Sequence, residues 1–221
     1  FGEFWNADEK ANNDYLESID YRFDLVDVKL HQNFFDASRA GADFDLRTIF
    51  DQTLAKNHPE SAVTFVDNHD TQRGQALEST VEEWFKPAAY ALILLRDEGL
   101  PCVFYGDYYG ISGEFAQESF QEVLDKLSDV RLNLAYGEQT DYFDDPNCIG
   151  WTRQGKDGGQ PIAVVVSNDQ ASSKRMLVGS EWAGREFSDY LGKSSQIVTI
   201  DEEGWGDFPV EEKSVSVWSV T

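Results

Sequence analysis

The sequence is poor in several residue types, and each shortage excludes a class of protein. Cys102 and Cys148 are its only cysteines among 221 residues, too few for a disulfide framework or a cysteine-based zinc site. Its apolar runs are too short to cross a bilayer, and its N-terminus has no signal-like apolar stretch. With 18 basic residues against 41 acidic ones, it lacks the basic patches that nucleic acids and anionic membranes require. We therefore expect neither a nucleic-acid partner nor a membrane partner.

The composition indicates a folded, acidic protein. A hydrophobic content of 41% and an aromatic content of 14% are enough for a packed core, and 221 residues can form one or two domains. The net charge of −23 is typical of a well-solvated surface, with adaptation to high salt as an alternative interpretation. Because the sequence does not begin with Met, we expect it to be a piece of a longer protein.

One stretch, residues 62–75 with the sequence AVTFVDNHDTQRGQ, carries most of the chemical information. Its first five residues are mostly apolar or β-branched, which predicts a buried parallel strand. The next four side chains are polar: Asp67, Asn68, His69 and Asp70. Active sites of α/β folds lie at the carboxyl ends of strands, so these side chains are candidates for a site. A capped strand end that leads into a polar turn would show the same residue types.

The order of these residues resembles a known family. Residues 65–70, FVDNHD, resemble the seventh-strand motif of the α-amylase family of glycoside hydrolases, and the run through Gln75 looks most like the bacterial liquefying α-amylases. The resemblance implies a TIM barrel that acts on α-1,4-glucans. It also implies that Asp70 stabilises the oxocarbenium-like transition state. His69 would hydrogen-bond the sugar bound there, and Gln75 would contact sugar.

The first five residues, FGEFW, look like the end of the fifth strand of that barrel. The resemblance implies that Glu3 is the general acid/base and that Trp5 is an aromatic platform on the leaving-group side. From the residues alone, an edge glutamate beside packing aromatics is the simpler interpretation. The interval between Glu3 and Asp70 leaves room for one strand–helix unit and the next strand, as the resemblance requires.

Through residue 134 the chain alternates between strand-like and helix-like segments. We predict strands at residues 23–30, 62–66 and 101–105, and helices at residues 12–19, 31–38, 46–54, 81–98 and 120–134. Pro87 is expected to kink its helix, and Cys102 is expected to lie in a buried strand. This order predicts the fold class α/β, with a partial TIM (β/α)8 barrel over residues 1–137.

From residue 138 to residue 221 the pattern changes to short apolar runs separated by turn residues. We predict an antiparallel Greek-key β-sandwich there, with strands at residues 149–152, 162–167, 175–178, 197–200 and 215–220. Most tryptophans of a small sandwich belong to its core, but some could instead grip starch. The candidates for such a binding module are Trp151, Trp182, Trp205 and Trp218.

Cleavage of a glycosidic bond needs two carboxyl groups. The resemblance places the nucleophile, an aspartate, on the fourth barrel strand, and its motif (Arg-x-Asp followed by Lys and His) does not occur in this sequence. We therefore expect the chain alone to hydrolyse starch poorly or not at all, and to need the missing N-terminal barrel portion as a partner. With that portion, the predicted function is retaining endo-hydrolysis of α-1,4-glucosidic bonds in starch and maltooligosaccharides. A starch-binding fragment and a transglycosylase or exo-acting relative are the alternatives.

The resemblance also implies calcium, whose main site would lie mostly upstream of Phe1. A second calcium site is expected where residues 42–44 meet Asn147 and Asn168, although amides at these two positions would weaken it by removing ligand charge. The predicted location of the protein is extracellular, with a cytoplasmic location as the alternative.

Overall fold

The computed structural model describes residues 1–156 and 158–221, and these residues form two compact units. Unit 1 comprises Phe1–Ala40, Thr48–Ile93 and Glu98–Glu122. Unit 2 comprises Gly41–Arg47, Leu94–Asp97 and Val123–Thr221. The predicted division after residue 137 stays a prediction. None of the helices among the described residues is long and apolar enough to cross a membrane.

Unit 1 is built on a parallel sheet whose strands follow one another in chain order. Its helices and strands are α1 (Glu9–Ser18), β1 (Leu25–Val26), α2 (Val28–Ala40), α3 (Leu54–Asn57), β2 (Ala62–Phe65), α4 (Lys86–Leu94), β3 (Leu100–Cys102) and α5 (Tyr105–Tyr109). β2 pairs in parallel with β1 on one side and with β3 on the other. Gly2 extends this order beyond β1, because its N–H donates to Asp24 O at 2.7 Å and its carbonyl accepts from Val26 N at 3.2 Å.

A buried aspartate fixes where β1 ends and α2 begins. The chain leaves β1 at Asp27, whose carboxylate accepts from Leu30 N at 3.0 Å and from Ala55 N at 2.8 Å. These are N–H groups of the first turns of α2 and α3, which have no acceptor within their own helices. Burial raises the pKa of the Asp27 carboxyl. The strand predicted at residues 23–30 is therefore wrong in its second half, because α2 begins at Val28.

The helix predicted at residues 46–54 is also wrong. The segment begins with a short 3-10 turn, Leu46–Thr48, and Leu46 N donates to Pro146 O at 2.8 Å. Gln52 then adopts a left-handed conformation, with φ of 62°, which ends any helical run. A separate helix, α3, begins after Thr53, whose side chain accepts from the backbone of its first turn. The apolar spacing of this segment thus reflects two different packing environments.

The helix predicted at residues 81–98 begins later and is shorter. Helix α4 starts at Lys86 and ends at Leu94, which puts Pro87 in its first turn. A proline there loses no intrahelical hydrogen bond, because the first N–H groups of a helix have no acceptor within it. The kink predicted at Pro87 is therefore wrong, and this proline is compatible with the start of the helix.

The third strand is more exposed than its sequence indicates. Residues 101–105 are predicted as a buried strand, but β3 has Leu100 58% exposed and Cys102 exposed as well. In the part of the chain that the structure describes, β3 pairs along one edge only, with β2. Side chains on an edge strand have fewer neighbours to cover them, which explains the wrong burial prediction.

Unit 2 consists mainly of antiparallel strands. Its elements are α6 (Gln121–Asn133, which starts at the end of unit 1), β4 (Gln139–Tyr142), β5 (Cys148–Arg153), β6 (Ile162–Ser167), β7 (Ser172–Leu177), β8 (Glu186–Asp189), β9 (Ile197–Thr199), β10 (Trp205–Val210) and β11 (Val215–Val220). In the described residues, one sheet has the order β4-β5-β6-β11-β8-β9, and β7 pairs with β10. The strands predicted at residues 162–167 and 215–220 are confirmed.

Both sheets of unit 2 contribute to one apolar core. Met176 of β7 and Phe208 of β10 pack in the same cluster as Phe187 and Trp218 of the larger sheet, and all four are fully buried. The ring centroid of Phe208 lies 5.9 Å from that of Phe187 and 6.2 Å from that of Trp218. Two antiparallel sheets therefore share a core, and the Greek-key connectivity stays a prediction.

Candidate active site

A cavity of about 190 Å³ lies along the parallel sheet of unit 1 and the residues that follow its strands. Glu3 lines this cavity from the segment beside β1. Asp67, Asn68 and His69 line it from the residues directly after β2. Parallel neighbours end on the same side of a sheet, so these polar groups meet because of the pairing. Glu3 and His69, two of the predicted site residues, thus line one cavity, whereas Asp70, the predicted catalytic partner of Glu3, is not among the residues that line it.

The side chains of Glu3, His69 and Asp70 are all accessible to solvent. Glu3 is exposed, and the His69 and Asp70 side chains are 68% and 40% exposed. His69 Nε2 lies 3.6 Å from Asp70 Oδ1. β1 lies between the segment of Glu3 and β2, so the two carboxylates follow strands that are two places apart in the sheet. This arrangement leaves both carboxylates able to meet a ligand.

An asparagine turn shapes the loop that carries His69 and Asp70. Asn68 Oδ1 accepts from Asp70 N at 2.9 Å and from Thr71 N at 3.0 Å. Thr71 Oγ1 accepts in return from Asn68 N at 2.9 Å and lies 3.2 Å from Asp67 Oδ1. Such side-chain bonds to the backbone define a tight turn without a regular element. The turn explains why an amide lies between the two acidic residues of this motif.

Trp5 and Gln75, the other predicted sugar contacts, lie outside the cavity that Glu3 lines. Trp5 packs against Phe65 and His31, with ring centroids 6.0 and 6.3 Å apart. It also lines a second cavity, of about 530 Å³, together with Leu77. Gln75 is exposed in the loop between β2 and α4. Their roles in sugar binding stay predictions.

The structure also contains a buried ionic network whose pairing was not predicted from the sequence. Lys86 is buried and forms ion pairs with Asp67 and Asp107. Its Nζ lies 2.8 Å from Asp67 Oδ2, and it donates hydrogen bonds to Asp107 and to Gln117 Oε1. Tyr90 OH donates to Asp107 Oδ2 at 2.6 Å, and Gln117 Nε2 donates to Asp107 Oδ1 at 2.8 Å. One ammonium group thus serves two buried carboxylates.

Burial controls the ionisation of the groups around Asp67. It raises the pKa of the Asp67 carboxyl to about 6, although the Lys86 ammonium opposes the rise. Burial also lowers the pKa of the His31 imidazole to about 4. The two ring nitrogens of His31 lie 2.6 Å from Val66 O and 2.8 Å from Ser79 Oγ. His31 is therefore a neutral, hydrogen-bonded histidine of the core, which fits a structural role.

Lys86 and Asp107 do have a sequence signature. Lys86 precedes the apolar run PAAYALILL, and Asp107 lies within the aromatic run FYGDYYG. A lone charge in such surroundings is expected to be buried and therefore paired, since an unpaired buried charge is costly. The sequence does not say which partner each has, because they are far apart in the chain.

The two asparagines predicted to hold a second calcium ion meet each other in unit 2. Asn147 Nδ2 donates to Ala42 O at 2.8 Å and to Asn168 Oδ1 at 3.0 Å. Asn168 Nδ2 donates to Gly41 O and to Phe44 O, both at 2.8 Å. These side chains present N–H groups to the loop carbonyls, so they do not fit a calcium ion, which needs oxygen ligands. The main calcium site expected upstream stays a prediction.

The described residues offer no other obvious metal site. Across residues 1–156 and 158–221, no group of three or more His, Cys, Asp or Glu side chains is placed to hold a metal ion. The ionisable groups that line the cavity of unit 1 are carboxylates and an imidazole. Proton transfer and stabilisation of positive charge are the reactions that suit such groups.

Comparison with known proteins finds a matching family model and several related proteins. Residues 162–219 match the family model described as the alpha-amylase C-terminal domain. Over 98% of its length, the chain is 47% identical to an α-amylase of Geobacillus stearothermophilus, of which it covers 40%. The chain matches the C-terminal part of α-amylases. It is also 40% identical, over 99% of its length, to the cytoplasmic α-amylase of Escherichia coli, of which it covers 46%. The chain thus spans less than half the length of these relatives.

The fold agrees with this assignment. A crystal structure of an Anoxybacillus α-amylase superposes with a TM-score of 0.67 at 18% identity, covering 100% of this chain and 51% of that one. At this identity the likeness concerns the fold alone. The part of the chain that matches the C-terminal family model runs from β6 into β11, and so includes strands of both antiparallel sheets.

Proposed function

We propose that the protein containing this chain is a retaining α-amylase that hydrolyses α-1,4-glucosidic bonds within starch and related glucans. This chain supplies the general acid/base, Glu3, and the carboxylate that stabilises the transition state, Asp70. An upstream portion supplies the nucleophile. The observation that carries the proposal is that Glu3 and His69 line one cavity beside the ends of parallel strands.

The exposure of each group suits its proposed part in the reaction. Glu3 is exposed, as an acid must be to meet the oxygen of the leaving sugar, and it returns as a base to activate water. Asp70 follows His69 in a turn that Asn68 holds, which keeps its negative charge near the cavity. That charge stabilises the positive charge that develops at the anomeric carbon. His69, beside it, donates to a sugar hydroxyl.

The parallel sheet of unit 1 is, in this proposal, the second half of a (β/α)8 barrel. Its sequential strand order, with helices in the crossovers, is the order such a barrel has. Phe1, beside the first strand segment, is 70% exposed, and Leu100 of β3 is 58% exposed. A closed barrel has no unpaired edges, so upstream strands would pair at both places. The partners of this chain are thus an N-terminal barrel portion and an α-glucan.

The alternative of a starch-binding module has less support. Trp151 and Trp218 are fully buried and cannot stack on a sugar, and Trp182 and Trp205 are half-buried. Arg175 already lies over the Trp205 ring, 5.6 Å from its centroid. No feature of the described residues favours a transglycosylase or an exo-acting enzyme. The proposed location stays extracellular, with a cytoplasmic one as the alternative.

Proton NMR of the first products tests this proposal. The protein containing this chain, given a linear maltooligosaccharide, is expected to release products in the α-anomeric form first, because two successive inversions retain the configuration. Several product lengths should appear from the start of the reaction, as internal cleavage predicts. Products that appear first as β-anomers would contradict the proposal. Binding of starch without cleavage would support the binding module, and products longer than the substrate would support a transglycosylase.

A further inference from the structure

Two asparagines of unit 2 donate three hydrogen bonds to the backbone at residues 41–44, and a fourth hydrogen bond joins the two side chains. We call this set of four hydrogen bonds the amide clasp. Each side-chain amide has two N–H donors. Asn168 uses both, on Gly41 O and Phe44 O. Asn147 also uses both, one on Ala42 O and one on Asn168 Oδ1. Every donor of the clasp is therefore engaged, and three backbone carbonyls converge on the two amides.

The surroundings fix the orientation of these amides. Asn168 is 0% exposed, so any donor or acceptor that it leaves unpaired carries the full cost of desolvation. Turning its amide over would place Oδ1 against the carbonyl oxygens of Gly41 and Phe44, where oxygen would face oxygen. Asn168 N also donates to Asn147 O at 3.2 Å, which ties the two clasp residues through their backbones. The hydrogen-bond pattern thus has one consistent assignment.

Converging carbonyl oxygens are also what a hard cation binds. Calcium takes six to eight oxygen ligands, and its affinity depends on the charge that carboxylates bring. The clasp offers neutral amides instead. Two neighbouring carboxylates are engaged elsewhere: Asp144 pairs with Lys174 at 2.7 Å, and Asp145 Oδ1 accepts from Asn147 N at 2.8 Å. A cation could enter only if both amides turned away and the four bonds broke.

We propose that the amides of Asn147 and Asn168 occupy the position of a divalent cation in this protein. They hold the backbone at residues 41–44 without metal, and aspartates at both positions would convert the clasp into a Ca²⁺ site. The amide hydrogens carry partial positive charge, which pairs with the partial negative charge of the three carbonyl oxygens. Because the amides are neutral, no ion has to be removed from water to make these bonds. This inference concerns unit 2 alone and does not depend on the proposed catalytic activity.

Equilibrium dialysis with calcium, on the whole protein that contains this chain, tests the inference. The forms to compare are the unaltered protein, Asn168→Ala, and the double variant Asn147→Asp/Asn168→Asp. A matched control, Asn57→Asp/Asn133→Asp, adds the same two charges at exposed asparagines. We expect the clasp double variant to bind one calcium ion more per chain than the unaltered protein and the control. We expect Asn168→Ala to bind the same number as the unaltered protein. The result is the difference in bound calcium ions per chain between each variant and the unaltered protein, so any calcium site elsewhere cancels.

Thermal unfolding gives a second measurement. Adding calcium after a chelator should raise the melting temperature of the clasp double variant by several degrees more than that of the unaltered protein. Two outcomes would overturn the inference: one ion fewer on Asn168→Ala, which would mean that a cation sits there already, or no additional ion on the double variant. If the double variant does not fold, the comparison of Asn168→Ala with the unaltered protein decides alone.

Discussion

Replacing Glu3 with glutamine in the full-length protein is expected to lower kcat/KM for maltooligosaccharide hydrolysis by about 10³-fold. Glutamine keeps the size of this exposed side chain and removes its ability to give and take a proton. Starch binding should be almost unchanged, because the cavity and the turn at Asn68 stay intact. Steady-state kinetics and a starch-binding measurement on the same preparation check both expectations.

Substrates with different leaving groups show whether Glu3→Gln loses proton transfer. An aryl maltoside whose phenolate leaves without protonation needs no general acid in the first step. For this substrate, the first turnover of Glu3→Gln should be much closer to that of the unaltered protein than for a natural glucan. A structural role for Glu3 would slow both substrates equally. The ratio of the two effects therefore separates catalysis from folding.

A surface control completes this experiment. Glu17, in helix α1, is exposed like Glu3, and Glu17→Gln removes the same charge from the same unit. We expect its kinetics to match those of the unaltered protein. If Glu3→Gln behaved like Glu17→Gln on natural glucans, Glu3 would not be the acid. The proposed assignment of the active site would then fail, whatever the family.

Much of the site region follows from local sequence. The run of five apolar or β-branched residues before Asp67 predicts a strand, and β2 covers four of them, Ala62–Phe65. The strands Ile162–Ser167 and Val215–Val220 have their predicted bounds because short, mostly apolar runs between polar residues leave little choice of length. Period and turn chemistry are properties of neighbouring residues, and so they can be read from the sequence.

The predictions that are wrong concern segments whose structure depends on contacts with residues far away in the sequence. Leu46 N bonds to Pro146 O, one hundred residues later, and no periodicity within residues 46–54 records that contact. The exposure of β3 depends on which strands pair with it, and not on its own apolar character. The partners of Lys86 are equally non-local. Asp67 and Asp107 reach it from two separate segments, so the sequence shows a charge in need of a partner without naming one.

Replacing Lys86 with methionine is expected to lower the free energy of unfolding by about 3–5 kcal/mol at neutral pH, as for other buried ion pairs that lose one partner. Methionine fills a similar volume but leaves the Asp67 and Asp107 carboxylates buried together without a cation. Tyr90 and Gln117 would still donate to Asp107, but neither carries a charge. Denaturant unfolding, followed by circular dichroism, measures the difference.

Lys56→Met is the matched control. Lys56 pairs with Asp51 at 2.6 Å, but their side chains are 55% and 50% exposed. Solvent screens such a pair, so its loss should cost less than about 1 kcal/mol. If Lys86→Met cost no more than this control, the two buried carboxylates would not need their ammonium, and the network would have no structural importance.

The pH dependence identifies the electrostatic origin of the effect. The pKa of Asp67, about 6 in the folded protein, lies above its unfolded value, so the stability linked to its protonation is present below the unfolded pKa and is lost as pH rises through about 6. Lys86 lowers this folded pKa, and its removal should raise the pKa further, so the variant takes up protons at higher pH. The stability gap between Lys86→Met and the unaltered protein should therefore shrink as pH falls from neutrality towards about 6, and should level off below that, where Asp67 is protonated in both folded proteins. His31 titrates in the opposite sense, with a pKa of about 4 that burial and the Lys86 charge both lower, so in the unaltered protein it titrates below this pH range. A loss of packing does not change proton binding by the folded protein. A stability gap independent of pH would therefore mean that lost packing, and not lost charge, accounts for the effect.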